Sequence, residues 1–102
     1  MAKLIALYNP PEDPDAFDVH FRHTHLPLVK RLPGVRDIEI SWGPVMAPGG
    51  AGAYHRIAIY DFESIADLQE ALASPQGQAT GADLANFAGA GVTLLVFETE
   101  KI

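Results

Sequence analysis

The sequence predicts an α+β fold: one antiparallel four-stranded sheet with helices packed on one of its faces. Four short apolar or alternating segments, each bounded by Gly, Pro, Asn or Asp, read as strands. Two longer stretches between them carry helical periodicity and helix-start residues. The order is strand, helix, strand, strand, helix, strand, which is the ferredoxin-like βαββαβ plan.

Each element has its own signal. Leu4 to Tyr8 is the first strand, and Asn9-Pro10-Pro11-Glu12-Asp13-Pro14 is a turn dense in breakers. Pro14 or Asp15 opens a helix that runs to about Leu32, where Pro33-Gly34 ends it. Val35 to Trp42 alternates, with Ile38, Ile40 and Trp42 on one face and Asp37, Glu39 and Ser41 on the other. Residues 43–53, rich in Gly, Pro and Ala, form a loop, and Tyr54 to Phe62 is the third strand. Ser64-Ile65-Ala66-Asp67 is a capping box that starts a helix to about Ala73. Ser74-Pro75 starts the next, from Gln76 to Ala88, which is weakened by Gly77 and Gly81. Val92 to Glu98 closes the sheet.

Both faces of this sheet are apolar. The first strand offers Ile5 and Leu7 on one side and Leu4, Ala6 and Tyr8 on the other, and the third and fourth strands repeat the pattern. Helices cover only one face, so the sequence predicts a homodimer in which two sheets pack face to face.

The chain has 102 residues, room for one domain, 1–102. Its thirteen acids and seven bases give a net charge of −6, which repels a phosphate backbone and argues against nucleic-acid binding. No apolar run approaches the roughly 18 residues of a membrane-spanning helix. There is no cysteine, hence no disulfide, thiolate ligand or thiol nucleophile, and a cytoplasmic setting fits.

Candidate chemistry centres on His20-Phe21-Arg22-His23-Thr24-His25-Leu26-Pro27-Leu28, which holds three of the four histidines. At about 100° per residue, Phe17, Phe21, Leu28 and Leu32 form one stripe. His25 lies within it, His20 sits at its edge, and His23 points to solvent. Pro27 removes a donor to the His23 carbonyl and kinks the helix near Thr24 to Leu26. That turns His25 toward a cavity between this helix and the sheet. His25 is either a core histidine bonded to a backbone carbonyl or an acid-base group, since its unperturbed pKa of about 6.5 suits proton transfer. The three histidines do not share a face, so no metal site is expected. Tyr8 ends a strand at the sheet margin, where pockets open. Trp42 is either packing or a stacking surface for a ligand. His55 alternates onto the Ile57-Ile59 face, where it lines a cavity or marks the strand start. Asp83 either orients a histidine by accepting its N–H or is a surface acid.

Tyr8-Asn9-Pro10-Pro11-Glu12-Asp13, the histidine–proline segment, Leu32-Pro33-Gly34, Ser74-Pro75-Gln76-Gly77 and Asp83-Leu84-Ala85-Asn86-Phe87 together resemble the EthD family, named for ethyl tert-butyl ether degradation. The resemblance covers nearly the whole chain. It implies a dimeric α+β barrel of ferredoxin-like subunits, with His20, His25, Tyr8 and Asp83 at a pocket. This chain has Phe21 where the family commonly has tyrosine. Relatives in the wider superfamily include cofactor-free monooxygenases and muconolactone isomerases. The expected function is therefore a small-molecule protein without cofactor. It is either an oxygenase, isomerase or decarboxylase working through a histidine, or a non-catalytic accessory protein that binds a small apolar or aromatic ligand.

Overall fold

Alternation along the first strand sets the two sides of the molecule. In β1 (Ala2–Tyr8), Ala2, Leu4, Ala6 and Tyr8 are buried, while Lys3, Ile5 and Leu7 are half-buried. The computed structural model describes residues 1–50 and 52–102; Ala51, inside the expected 43–53 loop, lies outside the described residues. After β1 come α1 (Pro14–His20), a π-helical turn (Phe21–His25), α2 (Leu26–Val29), β2 (Asp37–Ile40) and β3 (Arg56–Phe62). The chain closes with α3 (Ile65–Ala73), α4 (Pro75–Phe87) and β4 (Val92–Glu98).

The sheet order is β2-β3-β1-β4, with every neighbouring pair antiparallel. Directly opposed residues share a face. Leu4 faces Tyr60 and Val96, and Ala6 faces Ala58 and Leu94, so these side chains all lie on the helix side. Phe17, Phe21, Val29, Leu32, Leu68 and Ala71 close over them to make the core. This is the ferredoxin-like α+β fold. Among the described residues, no helix is long and apolar enough to cross a membrane.

The other face carries Ile5 and Leu7, Ile57 and Ile59, and Leu95 and Phe97, with the Lys3–Asp61 ion pair at its margin. Leu95 is 46 % and Phe97 37 % exposed, so the second apolar face expected from the sequence is present and bare in the single chain.

Two elements differ from expectation. The second strand is shorter than 35–42. Ser41 ends it by accepting the Ile57 N–H through its side-chain Oγ at 2.8 Å, which leaves Trp42 beyond the ladder. The first helix is not a continuous α-helix. Asp13 caps it by accepting the Ala16 N–H at 3.1 Å. The Leu26 N–H then reaches the Phe21 carbonyl, five residues back, so the kink expected from Pro27 takes the form of a π turn. Pro27 has no N–H for the His23 carbonyl, and widening the preceding turn by one residue absorbs the mismatch. The chain leaves the helix at Gly34, whose φ of 79° is cheap only for glycine.

At the α3–α4 corner, Ser74 Oγ accepts the Gly77 N–H at 3.0 Å and donates to the Ala71 carbonyl at 2.6 Å. A Cβ on Gly77 would stand 2.2 Å from that same carbonyl oxygen, so glycine is what lets the two helices meet so closely.

Candidate active site

His20 and His25 are five residues apart. On a regular α-helix they would point about 140° apart, at about 100° per residue. An i→i+5 turn, wider by about one residue, narrows that angle. The π turn therefore brings both imidazoles to the same side, where α4 presents Asp83. His25 Nδ1 is 2.9 Å from Asp83 Oδ2. His20 Nε2 is 2.9 Å from Oδ1 and 3.1 Å from Oδ2. Asn86, one turn on, donates its Nδ2 to Oδ1 at 3.0 Å. Phe87 packs on both rings, with its centroid 5.0 Å from that of His20 and 4.7 Å from that of His25, and Phe21 stacks on His25 at 5.7 Å.

The protons follow from the partners. A carboxylate only accepts, so His25 donates from Nδ1 and His20 from Nε2, which assigns the tautomers. His25 Nε2 then carries a lone pair, and no protein group among the described residues bonds it. Burial would raise the Asp83 pKa, but the hydrogen bonds from Asn86, His20 and His25 outweigh it and hold the carboxyl below its ordinary value. For His25, which is only 2 % exposed, burial pushes the pKa below the ordinary histidine value despite the upward pull of Asp83. His25 is therefore neutral at pH 7, with Nε2 ready to accept a proton.

His25 lines a cavity of about 60 Å³. Leu4, Ala6, Tyr8 and Tyr60 of the sheet form its floor, and Leu72, Thr80, Gly81 and Leu84 form part of its wall. Burial, reinforced for Tyr8 by neighbouring Tyr60, pushes both phenols far above their ordinary pKa, so both keep their protons. The Tyr60 hydroxyl lies beside that of Tyr8 but makes no hydrogen bond of ordinary geometry among the described residues. A larger, open cleft of about 690 Å³ lies on the far side of the histidines, against Pro11, Phe17, His20, Asn86 and Phe87. His20 borders that cleft and not the cavity. The smaller space is the better candidate, because His25, Tyr8 and Tyr60 meet there among mostly aliphatic side chains.

Four of the six residues singled out from the sequence gather here: His20, His25 and Asp83 as one hydrogen-bonded unit, and Tyr8 beside it. The other two lie elsewhere. Trp42 sits between guanidinium groups, with Arg22 3.6 Å and Arg56 5.1 Å from its ring, and meets Phe21 edge-on at 6.0 Å. Of the two readings of Trp42, these contacts are the packing one, a cation–π seal on the helix. His55 precedes β3, so strand alternation does not govern it. It turns back to α1, packs edge-on against Phe17 and donates from Nε2 to Asp18 Oδ1 at 3.0 Å, outside the cavity.

The cavity also lies under α3 and α4 more than under the first helical segment, which contributes His25 from its π turn and Leu32 just beyond α2. The geometric reason for discounting a metal also changes. His20 and His25 share a side after all, but both turn a nitrogen to Asp83, while His23 is exposed. Among the described residues, three side chains placed to hold an ion occur together at Asp37, Glu39 and Asp61, away from the histidines. Sequence reasoning missed Tyr60 and Asn86. Tyr60 reads as one more core residue on the Ala58-Phe62 face, and its hydroxyl was the signal that it needs a partner. Asn86 follows Asp83 at i+3, the spacing at which helical neighbours touch.

A protein-family model for the EthD domain matches residues 9–91. An uncharacterized 11.0 kDa protein from the thcB–thcC intergenic region of Rhodococcus erythropolis is 39 % identical over 102 residues, covering 100 % of this chain and 98 % of that protein. The crystal structure of an ethyl tert-butyl ether degradation (EthD) family protein from Bacillus halodurans superposes with a TM-score of 0.89 at 38 % identity, covering 98 % of this chain and 99 % of that one. SnoaB, a cofactor-independent oxygenase from Streptomyces nogalater, has the same fold, with a TM-score of 0.69 at 15 % identity, covering 99 % of this chain and 94 % of that one. With a family model spanning most of the chain and relatives near 40 % identity over its full length, this protein belongs to the EthD family.

Proposed function

We propose that this EthD-family protein is a cofactor-independent enzyme that moves a proton on a small apolar or aromatic substrate bearing an oxygen function. The observation that carries the reading is the buried His25–Asp83 couple, 2.9 Å apart, whose free Nε2 belongs to a residue lining a cavity with two neutral tyrosines. In the proposed step, Nε2 takes a proton from a carbon alpha to a carbonyl or from a phenol. Asp83 stabilises the resulting imidazolium through Nδ1–H. Tyr8 donates its hydroxyl to the oxygen on which negative charge develops. A base so placed contributes about 10²–10⁴-fold. Isomerisation follows when that proton returns to a different carbon of the resulting carbanion; decarboxylation reaches a like carbanion by loss of CO2, with a water proton then delivered through His25. Oxygenation adds dioxygen as co-substrate, and SnoaB supports that branch only as an analogy of fold.

A second reading, ligand binding without turnover by an accessory protein, draws on the size of the cavity. About 60 Å³ is well below the roughly 300–1,000 Å³ of usual ligand sites. A thermal-shift panel of lactones, phenols and ethers finds ligands for either reading, since a ligand of the native state raises its melting temperature. Turnover of a hit that disappears in His25→Ala and falls in Tyr8→Phe supports catalysis. Binding with no product in the wild type supports the accessory role.

In the same reading the protein works as a cytoplasmic homodimer. The Ile5, Leu7, Ile57, Ile59, Leu95 and Phe97 face is an apolar surface of the kind that monomers do not leave bare. Phe97→Lys is expected to convert a dimer into a monomer in sedimentation. A compact lone protomer in the wild type would remove the dimer from the account.

A further inference from the structure

The cavity has a rim as well as a floor. At the rim stand Leu72, 40 % exposed, Leu94, 50 % exposed, and Gly81 near the middle of α4. Two glycines of this helix border the cavity, and their reasons differ. Gly77 is required by contact, as its Cβ would strike the Ala71 and Leu72 carbonyls. Gly81 has no such reason: nothing lies within 4 Å of where its Cβ would stand, and its φ is not positive. Glycine in a helix interior is unfavourable relative to alanine. The helix therefore carries a local weakness at a position where neither crowding nor backbone conformation asks for it, and that position opens onto the cavity.

The floor sets the chemistry of a guest. Apart from His25, Tyr8, Tyr60 and Thr80 the lining is apolar, and no charged side chain contributes to it, so an ionic guest finds no counter-charge. Tyr60 is 4 % exposed, and its hydroxyl, beside that of Tyr8, makes no hydrogen bond of ordinary geometry among the described residues. Such a group calls for an oxygen from the guest.

We propose that Gly81 holds open the entrance to this cavity and sets the size of what passes, and that the guest is an uncharged molecule of about one ring whose single oxygen meets the Tyr60 hydroxyl. The proposal rests on reading the cavity as a ligand site, but not on catalysis there. A cavity of about 60 Å³ is smaller than the 150 Å³ space that takes benzene in an engineered core, so a ring on the floor reaches up to the rim. That is where a side chain at position 81 would stand.

Phenol and benzene, matched in shape and differing by one hydroxyl, are the probes. Binding to the full chain is followed by melting temperature and by the NMR signals of the His25 ring. Phenol is expected to bind at least tenfold more tightly than benzene. Tyr60→Phe erases that preference while keeping benzene binding. Gly81→Leu raises the melting temperature of the free protein and abolishes the response to both probes, and Gly81→Ala, the milder variant, weakens phenol several-fold with the fold intact. Equal binding of benzene and phenol by the wild type would leave the Tyr60 hydroxyl to Tyr8 alone and overturn the ligand chemistry. Undiminished phenol binding in folded Gly81→Leu would overturn the gate. Phenol and benzene binding by the wild type, Tyr60→Phe and Gly81→Leu is read without turnover, so its outcome stands apart from whether His25 acts as a base.

Discussion

His25 meets Asp83 at 2.9 Å and His55 meets Asp18 at 3.0 Å, so by distance the two pairs are twins. Their surroundings separate them. Asp83 accepts only from imidazoles and an amide, and its side chain is 6 % exposed. Asp18 also accepts from Arg56 at 2.8 Å and is 28 % exposed. A fixed guanidinium already balances the charge of Asp18, so that carboxylate has less to offer an imidazolium on His55. His25 opens onto an enclosed space, whereas His55 packs its ring against Phe17. The same two residue types at the same distance thus make a couple suited to the proposed proton transfer in one place and a clamp between α1 and β3 in the other. What differs is what else touches the carboxylate, and whether the second ring nitrogen faces a space that a substrate can enter.

The sharpest way to break this contrast is to delete each imidazole in turn. On any substrate found for the protein, His25→Ala is expected to lower kcat/KM by about 10²–10⁴-fold, the range of a positioned general base. His55→Ala leaves the chemical step nearly unchanged and acts on stability instead. Steady-state kinetics and urea unfolding of the two variants decide it. Equal kinetic losses would mean that the two pairs are not functionally distinct.

A smaller effect is expected at the carboxylates. Asp83→Asn puts one amide NH₂ where three donors converge, so at least one buried N–H faces another. Leaving a buried donor unpaired costs about 1–3 kcal/mol, and the substitution also disturbs the tautomer that bares Nε2. Asp18→Asn meets solvent on one side and is expected to lose less, because the exposed part of the pair is screened by water. Urea midpoints of the two variants, with unchanged m values, measure the difference. A larger loss at Asp18 would place the structural keystone at the wrong pair.

Much of this was legible in the sequence. β4 keeps its expected bounds of Val92 to Glu98, and the Ser64 and Ser74 caps fall where their patterns place them, because local hydrogen bonding alone decides such ends. The two-faced sheet was readable because antiparallel register carries each strand's alternation across to its neighbours. The site was only half legible. A regular helix separates His20 from His25, and what reunites them is the π turn, the point where a proline at 27 meets tertiary packing that no periodicity encodes. Pro27 announced a disturbance but not its form. Tyr60 was invisible as a site residue for another reason. Its strand pattern places it correctly in the core, and only the three-dimensional lining of the cavity shows that its hydroxyl is left over. His55 sits at the strand entrance, one of its two readings, and only its face differs, because strand alternation was extended one residue beyond the strand.

The gentlest test leaves the covalent structure almost alone and changes only pH. His25 has a folded pKa below its unfolded value of about 6.5, with burial as the main cause. Between those two values the unfolded chain binds more protons than the native one, so acid favours unfolding. The stability gained by burying a neutral His25 is fully present above about pH 6.5 and is lost as pH falls through the lower, folded value. Each pH unit inside that window removes at most about 1.4 kcal/mol. Asp83 is depressed too, and its contribution is lost only at more acid pH, below the ordinary carboxyl range of about 3.9. Urea midpoints taken from pH 7.5 down to 5 should therefore fall in the wild type and fall less steeply in His25→Gln, which keeps a polar side chain but has nothing to titrate. If both proteins trace the same curve, His25 is not the neutral buried base that distinguishes its pair from that of His55.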